Sequence, residues 1–192
     1  MNISLSHPGS LSSIAQTPSS APTIGSLRHL PLGWTAMAGN RWGLLAVMLG
    51  DSPETAWAAL RQECPGLGTD GPGPEPAFLT PWLEGAAQAL AGRPVRVPVA
   101  LHGTVFQCRV WSALQATGRG DRISYGELAL RLGAPTAARA VAAACARNRI
   151  AGLVPCHRVV RGDGDIGGYR WGVDRKLRLL GWEQDHGQPG LD

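Results

Sequence analysis

The 192-residue chain has little cysteine, a single lysine among its 18 basic residues, and no long apolar run. The four cysteines stand at 64, 108, 145 and 156, with no C-x-x-C pair and no histidines at zinc-finger spacing. That spacing argues against a disulfide framework or a zinc module and leaves four reduced thiols. The apolar stretch around residues 42–50 falls far short of a membrane span. Residues 1–25 carry neither the basic start nor the apolar block of a signal peptide, so a cytoplasmic, membrane-free protein is expected. The 26 glycines and 15 prolines are enriched but follow no collagen-like period. What is present is ordinary globular composition, at a length that suits one large or two small domains.

Charge is unevenly placed. Residues 1–100 carry five arginines against six carboxylates, whereas residues 101–192 carry twelve arginines and Lys176 against eight. A basic C-terminal half fits a polyanionic partner, through phosphate neutralisation, and fits a solvated basic surface equally well.

Residues 1–25 are Ser/Pro-rich and read as a disordered tail. A hairpin follows, with strands at 32–38 and 41–49 and a turn at Gly39-Asn40. Ser52 with Pro53 opens a helix towards Gln62, ended by Cys64-Pro65. After a Gly/Pro linker at 66–76, Thr80-Pro81 repeats the cap-plus-proline start, and 95–101 alternates weakly as a strand. These elements make a small α/β unit, 26–98, with no catalytic constellation of its own.

The second unit, 99–183, is followed by a flexible tail at 184–192. A helix starts after Gly103-Thr104 and stops at Gly118. Ser124 and Glu127 match a capping box opening a helix at 125–132. Gly133-Ala134-Pro135 breaks it, and an alanine-dominated helix covers 136–147. Two short helices around so tight a break are what a helix-turn-helix requires. Small side chains let a helix approach a sugar-phosphate backbone, with Arg139 as the long cation on a nearly bare face; a tightly packed internal helix pair would favour alanine as well. Residues 159–161 and 166–169 flank the turn Gly162-Asp163-Gly164 and read as a hairpin, a wing beside the helix-turn-helix. A last helix covers 174–183.

Cys156 differs from the other cysteines in its neighbours. Pro155 precedes it, His157 follows, and Arg147, Arg149, Arg158 and Arg161 crowd the local sequence. Nearby positive charge and an imidazole favour thiolate over thiol.

The stretch Pro155-Cys156-His157-Arg158-Val159-Val160 resembles the active-site signature of the O6-alkylguanine-DNA alkyltransferases. Collinear matches extend the resemblance through Gly103-Thr104-Val105-Phe106-Gln107, Ile123-Ser124-Tyr125-Gly126-Glu127, Arg139-Ala140-Val141, Asn148, and Gly168-Tyr169-Arg170-Trp171-Gly172 to Arg175-Lys176. The strong match covers about residues 102–183, and its Tyr169–Gly172 version is most similar to the methyltransferase part of the bacterial Ada proteins. The resemblance implies an α/β (α+β) chain: a ribonuclease-H-like N-terminal domain packed on a winged helix-turn-helix. It also implies direct, irreversible transfer of an alkyl group from O6-alkylguanine, and from O4-alkylthymine, in double-stranded DNA to Cys156. No cofactor or metal is expected, the acting species is a monomer, and an Ada-like transcriptional switch has no module to run it.

Roles follow residue by residue from the same resemblance. His157 takes the Cys156 proton through a bridging water and Glu183 steadies that imidazole. Tyr125 gives its phenol proton towards guanine N3, and Asn148 supports the active-site turn. Arg139 enters the stack to replace the extruded nucleotide in the minor groove, with Ala138, Ala140, Arg147 and Tyr125 beside the DNA. Pro155, Val159, Tyr169, Arg170 and Trp171 border the alkyl pocket. Three rival readings are a damage-recognition module that does not react, a cysteine hydrolase that turns over, and a regulator that uses alkylation as a signal.

Overall fold

The computed structural model describes residues 23–67 and 71–185. Strands β1 (Ile24–Leu30), β2 (Gly33–Asn40) and β3 (Gly43–Gly50) form an antiparallel meander in that order. Ala36, Met37, Ala38, Ala46, Val47 and Met48 are all buried, so β2 and β3 are covered on both faces and read as continuous apolar runs. β1 was not expected, and its first residues lie in the segment read as tail: Ile24 pairs with Gly39 and Gly25 with Ala38. The hairpin turn lies at Arg41-Trp42 rather than Gly39-Asn40, because a bulge after Ala38 shifts the register and Asn40 Oδ1 accepts from the Trp42 amide at 3.0 Å.

Helix α1 (Pro53–Glu63) starts where expected, with Ser52 and Thr55 forming a reciprocal capping box, and lays Ala56 and Leu60 against the sheet. Helix α2 (Thr80–Leu90) corrects the reading of Thr80 as its cap. Leu79 holds that position in helical conformation, and the Thr80 hydroxyl instead donates to the Pro76 carbonyl at 3.4 Å. The 95–101 segment is no strand. Pro94 and Pro98 have no amide to give a ladder, and only a bridge from Leu44 to Val99 forms, with Leu44 N–H on the Pro98 carbonyl at 2.9 Å.

In the C-terminal half, α3 (Val105–Gln115), α4 (Tyr125–Arg131) and α5 (Ala138–Ala146) pack together, and α6 (Val173–Asp185) closes the chain. Gly133, at φ +71°, makes the break after α4 that a side chain would strain. The expected hairpin at 159–169 closes its turn, with Arg161 N–H on the Asp165 carbonyl at 2.9 Å, but forms no second strand. β5 (Val159–Val160) lies parallel to β4 (Ile123–Ser124), and 166–169 is a loop whose Ile166 and Gly168 carbonyls accept from Lys176 instead of from a strand.

The free edge of β3 fixes the site. Val47 N–H donates to the Arg149 carbonyl at 2.8 Å, and the Ala151 amide returns to Val47 O at 3.1 Å. One contiguous set of buried apolar side chains, from Leu32 and Met37 to Trp111, Ile150 and Leu179, runs through both halves behind this edge.

Candidate active site

Cys156 opens a single turn of 3₁₀ helix, Cys156–Arg158, and is 5% exposed. The buried Asn148 ties this turn to the segment held by β3. Its amide donates to the Val154 carbonyl at 2.9 Å and contacts Cys156 Sγ at 3.1 Å, while its Oδ1 accepts from the Ile150 amide at 2.9 Å.

His157 points the other way. Its Nε2 lies 3.0 Å from Glu183 Oε1, 26 residues on in α6. Arg158 binds the same carboxylate, with Nη2 at 2.7 Å and Nε at 3.0 Å, and donates through Nη1 to Thr117 O at 2.6 Å. Burial works to raise the Glu183 pKa, but the hydrogen bonds and charge of His157 and Arg158 prevail and hold it at about 2. An ionised Glu183 accepts, so Nε2 carries the imidazole proton and Nδ1 presents its lone pair. That buried Nδ1 has no partner among the described residues, and no direct hydrogen bond joins it to the thiol. Burial also lowers the His157 pKa, against the pull of Glu183, which keeps the ring neutral.

The thiol is not the resting thiolate that its arginine-rich sequence neighbourhood suggested. Burial pushes Cys156 up to about 11, against the lowering effects of Asn148, Lys176 and Arg170. The four arginines nearest in sequence go elsewhere. Arg158 is on Glu183, Arg149 lies 3.4 Å from Glu63, Arg161 faces Asp165 at 3.6 Å, and Arg147 is exposed. Chain proximity failed here because three of the four guanidinium groups turn to carboxylates and Arg147 turns to solvent.

Lys176, which in the sequence stands out only as part of the Arg175-Lys176 match, is fully buried at 0% exposure. Its Nζ donates to the carbonyls of Val159 at 2.6 Å, Ile166 at 2.5 Å and Gly168 at 3.3 Å, closing the loop beside Cys156. Being the sole lysine in an arginine-rich chain was its signal: a rounded ammonium donates in three directions where a planar guanidinium would not.

Tyr125 is the first residue of α4, and a Cβ added at Gly167 would stand 3.7 Å from its hydroxyl, so the Lys176-held loop passes close to the phenol. Pro155 and Val159 are buried on either side of the turn. Tyr169 meets Trp171 edge-on at 5.1 Å and His157 at 6.4 Å, and Trp171 is itself buried, backing Tyr169. Arg170 Nη1 donates to the Asn148 carbonyl at 2.9 Å. On α5, Val141, Ala144 and Cys145 face the core, while Arg139, Ala140, Ala143, Ala146 and Arg147 are exposed and Ala138 is half-buried. Arg139 makes no hydrogen bond or ion pair among the described residues, so one face of α5 is packed and the other is open, small and cationic at both ends. Among the described residues no group of three His, Cys, Asp or Glu could hold a metal ion, and no helix is long and apolar enough to cross a membrane.

Comparison with known proteins agrees with this geometry. Residues 105–185 match the DNA-binding domain of 6-O-methylguanine DNA methyltransferase. The chain is 39% identical over 163 residues to the bifunctional transcriptional activator/DNA repair enzyme Ada of Escherichia coli, covering 84% of this chain and 45% of Ada. It is 50% identical over 91 residues to a methylated-DNA–protein-cysteine methyltransferase of Mycolicibacterium paratuberculosis, covering 47% of this chain and 55% of that one. The chain thus spans about half the length of these curated relatives. The crystal structure of Mycobacterium tuberculosis OGT in complex with DNA superposes with a TM-score of 0.67 at 34% identity, covering 83% of this chain and 91% of that one. A buried cysteine on a 3₁₀ turn beside a His–Glu pair, behind a helix-turn-helix of matching sequence and fold, places this chain in the O6-methylguanine-DNA methyltransferase family.

Proposed function

We propose that the chain repairs alkylated DNA by moving the alkyl group of O6-alkylguanine, and of O4-alkylthymine, onto Cys156 in a single irreversible event. The observation that carries this reading is the buried His157–Glu183 pair, which leaves the Nδ1 lone pair of His157 without a partner among the described residues, one residue along the chain from a thiol that is protonated at rest. His157 accepts the thiol proton through water, and Glu183 offsets the imidazolium charge that forms. The sulfur pair attacks the alkyl carbon, an S–C bond forms, and the C–O6 bond breaks with its electrons passing to the base. Tyr125 protonates the leaving guanine, and the proton held on His157 restores the phenol through solvent, leaving a thioether and a neutral base. A thioether offers water no acyl carbon, so the molecule is spent.

The partner in this reading is double-stranded DNA. The open face of α5 suits a minor groove, with Ala138 and Ala140 allowing close approach and Arg147 near the backbone. Arg139, unpaired and exposed, suits the space left by the extruded nucleotide, whose unstacking costs a few kcal/mol. Pro155, Val159, Tyr169, Arg170 and Trp171 border the alkyl group, and the acting species is a cytoplasmic monomer.

The test is intact-protein mass spectrometry after incubation with a duplex carrying one O6-methylguanine. One methyl per molecule, mapped to Cys156 and stopping at one equivalent, is the expected result. Binding without mass gain would leave a damage-recognition module, and loss of substrate beyond one equivalent would mean a turning-over hydrolase.

A further inference from the structure

Glu63, the last residue of α1, lies 85 or more residues before every side chain it holds in the C-terminal half. One oxygen of its carboxylate accepts from Arg170 Nη2, and the other lies 3.4 Å from Arg149 Nε. Its backbone carbonyl accepts from Arg149 Nη1, also at 3.4 Å. Arg149 directly follows Asn148, and Arg170 donates to the Asn148 carbonyl at 2.9 Å. One carboxylate therefore holds the two arginines that engage the C-terminal side of Asn148, the residue that contacts Cys156 Sγ. Glu63 also borders a cavity of about 550 Å³ whose other polar lining side chains are Gln107, Arg147, Arg149 and Arg170.

We propose that Glu63 is a positioning residue for alkyl transfer, holding Arg170 against the Asn148 turn and so fixing the wall of the alkyl pocket. This proposal rests on the alkyltransferase reading above. The chemistry calls for an acid at this point. Three guanidinium groups around one cavity repel one another, and Glu63 is the sole carboxylate among its lining residues. Without it Arg170 gains more by turning to water than by keeping one neutral carbonyl. Arg170 follows Tyr169 directly and lies over the Trp171 ring at 5.7 Å, so its departure loosens the aromatic pair beside His157 as well. Arg170 is also one of the charges that favour the thiolate, so the same loss makes Cys156 harder to ionise.

The experiment uses free O6-benzylguanine, which removes DNA binding from the measurement, and follows single-turnover mass gain against pH. The wild-type chain is read first on the O6-methylguanine duplex; no mass gain there removes the reaction, and this proposal with it. Given a reactive wild type, Glu63→Ala and Arg170→Ala are each expected to slow transfer about tenfold and to move the pH of half-maximal rate upward. The double variant is expected to be no slower than Arg170→Ala alone, because Glu63 acts through Arg170. Thermal midpoints report folding, and if Glu63→Ala unfolds, Glu63→Gln carries the test by removing charge at constant shape. Wild-type rates and pH dependence in the Glu63 variants, or fully multiplicative losses in the double, would overturn the proposal.

Discussion

With burial pushing the Cys156 thiol up to about 11, the sulfur is protonated at neutral pH, and in the proposed reaction its ionisation falls to the His157 relay. Transfer to free O6-benzylguanine is expected to be still climbing at pH 9, where an ordinary thiol of pKa about 8.5 begins to level; a plateau by pH 8 would show that the thiol is ionised at rest. Glu183→Gln keeps the shape of the relay but removes the charge that offsets the imidazolium, and single-turnover transfer should slow on the order of 100-fold. Acid stability tests the same carboxylate. Glu183 sits at about 2 in the fold against 4.5 unperturbed, so its contribution is complete above 4.5 and disappears as pH falls towards 2. The depressed His157 has the same sign: its share is complete above 6.5 and is lost on further acidification. Glu183→Gln should therefore flatten the dependence of thermal midpoint on pH below 4.5, and an unchanged slope would remove Glu183 as its source.

At the scale of elements, the capping boxes at Ser52, Thr104 and Ser124 sit at helix starts that the sequence could announce, because a cap is a contract between residues three apart. Ser124→Ala should cost about 1 kcal/mol of stability by denaturant titration. It should also slow transfer, since Tyr125 is the first residue of the helix that Ser124 caps; a stability loss with an unchanged rate would separate the cap from the phenol. The helix-turn-helix was legible for the same local reason, and only the structure showed that α5 is packed on one side and open on the other. Arg139→Ala should impair repair of duplex DNA far more than reaction with the free base, and equal losses would remove its place in the stack. β1 was illegible because its apolar residues Ile24, Leu27 and Leu30 recur every third position and never alternate; its pairing is chosen by β2. The 166–169 strand was expected from a turn signal that a distant ammonium overrides.

On the scale of the molecule, what the sequence concealed is what long separations create. Cys156, His157 and Asn148 are near neighbours in the chain and could be read together through their motif. Glu63 meets Arg170 across 107 positions, and no local pattern reports that. Since β3 grips residues 149–151 and one apolar core runs through both halves, the described residues should unfold in a single calorimetric transition; two resolved transitions would mean that the halves are independently stable. The solitary lysine has a practical corollary. The chain's only side-chain amine is buried beneath three carbonyls, so an acylating reagent meets no lysine while the fold holds, and the appearance of acyl-Lys176 would time the moment at which α6 lets go of the loop.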